Sequence, residues 1–238
     1  NNLVSAIDVL DIKSIDSLVK KIKPEILINC VGVIKQSTEV SNHIATITIN
    51  SLLPHKLAML AKKYKFRLVH ISTDCVFSGN KGNYIESDFP DAQDLYGRSK
   101  LLGEIDDNKN ITLRTSMIGH ELDSSRSLIN WFLNQNDQIK GYRNAIFSGL
   151  PAVEIASVIR DFVILNNRLS GLYHLAADPI NKYELLKLVS ERYKKSIEII
   201  PDNTIIIDRS LNGSLFNKKT GFKPKPWPKL ILDMHNFG

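Results

Sequence analysis

Two hydrophobic patterns alternate along this chain. Short unbroken runs, EILINCV (25–31) and RLVHIS (67–72), are rich in Ile, Leu and Val and predict buried strands. Between them, NSLLPHKLAMLAKKYKF carries Leu53, Leu57, Leu60, Ala61 and Tyr64 at helical spacing. Ser51 is the expected N-cap of that helix and Pro54 lies in its first turn. Upstream, SIDSLVKKIKP sets Ile15, Leu18, Val19 and Ile22 on one face, and Pro24 ends the helix. The first third therefore reads helix, strand, helix, strand, the order of a parallel sheet covered by helices. Further along, 95–105, 128–133, 153–165 and 182–193 predict helices. Segments 111–119, AIFSGL, 171–177 and SIEIIP predict strands, and the Pro-rich FKPKPWPK predicts an irregular tail. Internal repeats and low-complexity segments are absent from the sequence.

One expected feature is missing. A doubly wound nucleotide-binding sheet opens with a strand, a Gly-rich turn and a helix whose amino end faces pyrophosphate. The only closely spaced glycines of that kind, Gly79 and Gly82, follow CVFS and do not open a helix.

Length and composition narrow the class. With 238 residues, 43% hydrophobic and 24% charged, the chain can bury a core in one large or two small domains. No apolar run reaches the ~18–20 residues of a membrane span. The first residues have neither the basic flank nor the apolar stretch of a secretory signal. Cys30 and Cys75 each border a strand-like run, so buried thiols in a reducing compartment, the cytoplasm, are expected. No metal-ligand spacing is visible. The formal charge of +6 comes from scattered residues and short clusters such as KKIK, KKYK and KPKPWPK. These fit solvated helix faces better than a nucleic-acid surface. A mild positive field also suits a phosphate-bearing substrate.

The candidate chemistry sits in STDCVFSGNKGNYIESDFPDAQDLYGRSK (72–100). Tyr96 and Lys100, four apart on a helix, face the same way. An ammonium beside a phenol favours the phenolate, and the phenol can deliver a proton to a carbonyl oxygen. Thr73, with Ser72 beside it, ends a strand where ligands meet open α/β sheets, and its hydroxyl can bind that same oxygen. Tyr-x-x-x-Lys alone is a weak signal. A second copy, Tyr183 and Lys187, follows no Ser/Thr strand end and is explained by Leu185, Leu186 and Val189 as a structural helix. His70, His55 and His174 read as core or edge histidines with satisfied partners, and Asp74 as a turn cap. Trp131 and Phe132 read as packing on one helix face, and Trp227 as an anchor for the tail. Arg114 is open between a phosphate and a carboxylate partner.

ISTDCVFSG, the Glu86-Ser-Asp triplet and LYGRSKLLGE resemble the extended short-chain dehydrogenase/reductase superfamily, in its dTDP-4-dehydrorhamnose reductase (nucleotide-sugar-binding) branch. LRTSMIG, SGLPAVEIA, GLYHLAA and DRSLNGSLFNKKTGFKP continue the resemblance over nearly the whole chain. It implies an α/β fold with a doubly wound, Rossmann-like parallel sheet. Residues 1–119 would form a truncated dinucleotide-binding domain and 120–238 a smaller substrate-binding region with elements returning to the sheet. The implied activity is reduction of a 4-keto-6-deoxy nucleotide sugar by NADPH or NADH, supplying deoxysugar for bacterial surface polysaccharide. Thr73, Tyr96 and Lys100 would be the catalytic set, with Tyr96 the proton donor. Asp8, Val9, Asn29, Cys30, Val31, Ser72 and Thr115, together with Tyr96 and Lys100, would contact the cofactor. Asp74, Ser116, Arg143 and Arg209, together with Thr73, would contact the substrate. A homodimer without nucleic-acid or membrane partners is expected.

The sequence also departs from that pattern. The turn after Asn29 is CVGVIKQ rather than Ala-rich, and Met117 replaces an aromatic. The Gly-rich loop would lie before Asn1, so the chain is expected to be the larger part of an enzyme, preceded by about 50–60 residues in one β-α-β unit. Cys75 after Asp74, where a 4,6-dehydratase carries Glu, argues against that activity. A nucleotide-sugar epimerase, a nucleotide-binding regulatory subunit, or a shared fold with unrelated function remain as alternatives.

Overall fold

The computed structural model describes residues 4–34, 42–122 and 127–238. The last residues of the turn predicted after Asn29, 35 and 36, lie outside them.

Asp11 caps the first helix, α1 (Ile12–Ile22), by accepting the Lys13 N–H, and Lys23 in a left-handed conformation ends it. The remaining elements are β1 (Ile26–Asn29), α2 (His43–Ile47), α3 (Leu53–Tyr64), β2 (Arg67–Thr73), α4 (Leu95–Leu102), β3 (Ile111–Thr115), β4 (Met117–Ile118), α5 (Leu128–Leu133), β5 (Ile139–Tyr142), β6 (Ala145–Phe147), β7 (Leu150–Pro151), α6 (Ala152–Val158), β8 (Gly171–His174), β9 (Ile180–Asn181), α7 (Lys182–Tyr193), β10 (Ile199–Asp202), β11 (Ile207–Asp208), α8 (Ser214–Thr220) and α9 (Trp227–Phe237). The main sheet has the order β1-β2-β3-β8, with β1 and β2 parallel and Asn29 opposite His70. β3 is buried throughout and β2 almost so, as strands covered on both faces must be. This is the expected α/β fold, a parallel sheet with flanking helices.

Two compact units interleave along the chain. One comprises Asn1–Val76, Ala92–Leu113 and Leu169–Leu172, and the other Phe77–Asp91, Arg114–Arg168 and Tyr173–Gly238. In the first unit Ile15, Val19, Leu53, Leu57, Leu60, Ala61, Phe66, Leu68 and Ile105 form one apolar cluster. In the second, Phe77 stacks on Tyr84 with centroids 4.1 Å apart. Trp227 donates its indole N–H to the Asp178 carbonyl at 2.8 Å, so it anchors the tail as expected.

Several expectations are corrected. Ser51 is not an N-cap: the helix starts at His43, capped by Asn42, and runs through a π turn (Thr48–Leu52) into α3. By length and composition this 22-residue helix could cross a membrane, although no unbroken apolar run could. Its buried face, Leu53, Leu57, Leu60 and Ala61, belongs to the core cluster. The Pro-rich tail is irregular only up to Pro226. Pro228 sits in the first turn of α9, where its missing N–H has no helical partner to lose. Phe132 is buried but Trp131 is partly exposed, so they do not share a face.

Candidate active site

The site is built where β2 ends against α4, both in the first unit. Asp94 caps α4 by accepting the Gly97 N–H at 2.8 Å. Two glycines let the helix approach closely. A Cβ on Gly97 would overlap the Cys75 carbonyl oxygen, and one on Gly103 would overlap that of Asn50. Substituting either forces backbone to move. Tyr96 and Lys100 project from one face of this helix toward the strand end.

Three successive β2 residues then meet groups on α4 or just beyond its end. Lys100 Nζ donates to the Ile71 carbonyl at 2.7 Å. Ser72 Oγ donates to Glu104 Oε1 at 2.6 Å. Thr73 hydrogen-bonds the Tyr96 phenol, and its Oγ1 also donates to Asp74 Oδ1 and accepts the Cys75 N–H, both at 3.1 Å. The predicted catalytic residues Thr73, Tyr96 and Lys100 are thus brought together.

Burial dominates the electrostatics. It pushes the Tyr96 phenol well above its usual range. The Cys75, Asp74 and Asp94 charges add to this, and the Thr73 hydrogen bond opposes it. Lys100, 5% exposed, is lowered to about 8 by the same cause, opposed by Glu104 and Cys30. The sequence spacing predicts a phenol lowered by the nearby ammonium. In the structure that ammonium lies against the Ile71 carbonyl, and desolvation prevails. The phenol is therefore protonated at neutral pH, the form that a proton donor needs.

The π turn supplies residues that sequence patterns do not reveal. Asn50 accepts the Val33 N–H at 2.9 Å and donates to the Val33 carbonyl at 3.0 Å and to Ser99 Oγ at 3.1 Å. Ser51 Oγ donates to the Ser99 carbonyl at 2.8 Å. Together they clamp the turn after β1 to α4. In that turn a Cβ on Gly32 would stand 3.9 Å from Lys100 Nζ. The strand end at Asn29 and the lysine therefore border the same space. Asn29 is buried, accepts the Val31 N–H at 3.1 Å and pairs with His70 Nδ1 at 3.1 Å.

His70 is not the satisfied histidine expected: it is fully buried, and its Nε2 has no hydrogen-bond partner among the described residues. Burial lowers it to about 3, so it is neutral. His174 does find partners, the Tyr84 carbonyl and Arg114, and His55 meets the Leu102 carbonyl. Cys30 is exposed rather than buried, because β1 stops at Asn29. Val31 is exposed as well. Asp8 accepts the Leu10 N–H in the turn before α1, and Val9 packs on the core cluster.

Thr115, Ser116, Arg143 and Arg209 all fall in the second unit. Thr115 is buried at the end of β3, and the Ser116 carbonyl accepts the Leu150 N–H. Arg143 is exposed, with its guanidinium 5.0 Å from the Tyr183 ring. Arg209 Nε donates to the Phe77 carbonyl at 2.9 Å. Arg114 is buried over the Phe77 ring, 5.1 Å away, beside His174.

Comparison with known proteins places these features in a family. Residues 2–229 match the RmlD substrate binding domain. The chain is 24% identical to a dTDP-4-dehydrorhamnose reductase of Aggregatibacter actinomycetemcomitans, over 98% of this chain and 88% of that protein. It is also 24% identical to the methionine adenosyltransferase 2 subunit beta of Mus musculus, over 94% of this chain and 76% of that one. Among solved structures, dTDP-4-dehydrorhamnose reductase from Bacillus anthracis str. Ames, in complex with NADP, superposes with a TM-score of 0.84 at 21% identity. That match covers 98% of this chain and 87% of the other.

Proposed function

We infer the reaction from the family: the chain belongs to the RmlD substrate binding domain family. The proposed activity is NAD(P)H-dependent reduction of the keto group of a 4-keto-6-deoxy nucleotide sugar of the dTDP-4-dehydrorhamnose kind. The observation that carries it is the convergence of Thr73, Tyr96 and Lys100 where β2 meets α4.

The residues present fit the ribose of a nicotinamide cofactor. Lys100 carries three N–H donors, Ile71 takes one, and Gly32 leaves the neighbouring space free of a side chain. When bound, the reduced nicotinamide supplies a hydride to the keto carbon. Tyr96 holds the proton that the carbonyl oxygen needs, and Thr73 orients that oxygen. Lys100 binds ribose hydroxyls, and its charge stabilises the phenolate left behind. Asn29, Cys30, Val31, Ser72 and Thr115 are assigned to the cofactor, with Asp8 and Val9 on its adenine side. Asp74, Ser116, Arg143 and Arg209 are assigned to the substrate, the two arginines to its diphosphate.

Finer assignments follow from this reaction. The enzyme works in the cytoplasm, where an exposed thiol such as Cys30 stays reduced. It pairs as a homodimer through the apolar residues that the long helix and α4 leave exposed, Ile44, Leu52, Met59 and Leu102.

A second reading, a nucleotide-binding regulatory subunit, is favoured by the likeness to the methionine adenosyltransferase subunit. Turnover separates the two. Full-length protein is mixed with NADPH or NADH and a 4-keto-6-deoxy sugar nucleotide, and absorbance is followed for wild type and Tyr96→Phe. The reductase oxidises the cofactor, and Tyr96→Phe slows this about 10²–10⁴-fold. Binding without oxidation in wild type overturns the reductase and leaves the regulator.

A further inference from the structure

Lys100 presents an electrostatic problem that the proposed set does not solve. An enclosed ammonium tends to lose its proton, and its hydrogen-bond partner, the Ile71 carbonyl, carries no charge. The titratable groups that act on it come from three elements. They are the Cys30 thiol beyond β1, the neutral His70 imidazole on β2 and the Glu104 carboxylate beyond α4. Among the described groups that favour its charged form, Glu104 is the one carboxylate.

Glu104 is placed for this. Its N–H donates to the Leu101 carbonyl at 3.1 Å, so the helical turn continues past the end of α4. Glu104 therefore falls one turn beyond Lys100, on the same face. Gly103 lets this last turn lie against the Asn50 carbonyl. The carboxylate is held by the buried Ser72 hydroxyl at 2.6 Å. Ser72 directly follows Ile71, the residue that holds Lys100. Adjacent β2 residues thus hold a cation and an anion that lie one helical turn apart.

We propose that Glu104, anchored by Ser72, is a positioning residue that keeps Lys100 protonated and aligned with Tyr96. It touches neither substrate nor cofactor and acts through the lysine. The proposal rests on the reading of Thr73, Tyr96 and Lys100 as a reductase set. A mere tie between α4 and the sheet would stabilise the fold without setting the lysine's titration.

The test is a pH titration of Lys100 in full-length protein without cofactor or substrate. It is read from the lysine side-chain NMR signal, assigned with Lys100→Arg. In Glu104→Gln the midpoint falls by about one pH unit. In Glu104→Asp it returns toward wild type, and in Ser72→Ala it falls by less. An unchanged midpoint in folded Glu104→Gln overturns the proposal. If that variant does not fold, an unchanged midpoint in Ser72→Ala does so. The same variants are then assayed for turnover. The alkaline limb of kcat/KM moves to lower pH by the same interval, because the protonated lysine is the working form. A limb that stays in place while the titration moves overturns the positioning role. A titration that moves in a protein with no turnover at any pH supports the pairing and overturns the reductase reading instead.

Discussion

Tyr96 and Lys100 are both shifted by burial, in opposite directions, because desolvation penalises whichever form is charged. The spacing that makes them neighbours is visible in the sequence; the depth that sets their protonation is not. Thr73→Val removes the hydroxyl and leaves the phenol and lysine in place. We expect kcat to fall about 10²-fold with little change in thermal midpoint, measured by steady-state kinetics and a melt. His70 offers a stability prediction. Its folded value of about 3 lies below the ordinary 6.5, so the unfolded state binds the extra proton first. Stability is therefore full above pH 6.5 and falls as pH drops toward 3. Between pH 7 and pH 5 the loss is about 2 kcal/mol. Urea denaturation at both pH values should show a loss smaller by about that amount in His70→Gln than in wild type, since His174, lowered by burial to about 4, keeps its own share. Asn50 and Glu104 were not legible as site residues. Neither stands in a distinctive local pattern, and their roles come from partners far away or across a turn.

Elements were most legible where a local pattern and a local cap coincide. The α7 helix runs over the predicted residues, and Asn181 caps it by accepting the Glu184 N–H. The helix that begins at His43 departs from the expected start because Ser51 is a good cap by type but is buried inside a π turn, bonded to α4. Packing overrode propensity there. The fit of α4 against the strand end depends on Gly97. Gly97→Ala should cost about 1–3 kcal/mol, since the overlapping atom is backbone and cannot rotate away. Activity should fall with it, as Tyr96 is the preceding residue. Asp94→Ala removes the cap and should cost about 1 kcal/mol. Denaturation curves for the two variants, with residual activity, test whether the close approach matters more than the cap.

The molecule as a whole carries its charge of +6 and its exposed apolar helix residues in ways with different consequences. If Ile44, Leu52, Met59 and Leu102 form the dimer face, Met59→Glu yields a monomer by light scattering while the wild type has twice that mass. Equal masses at the monomer value would remove the proposed homodimer. The sequence by itself determined the α/β class, the strand end at Thr73 and the Tyr96–Lys100 pairing. Each is a periodicity or a spacing, and local backbone geometry turns those into faces and ends. Tertiary structure alone decided the interleaved units, the clamp from Asn50, the Ser72–Glu104 contact and the protonation states. These depend on which distant segments exclude water from a group and supply its partners, and that information is not carried by any single stretch of chain.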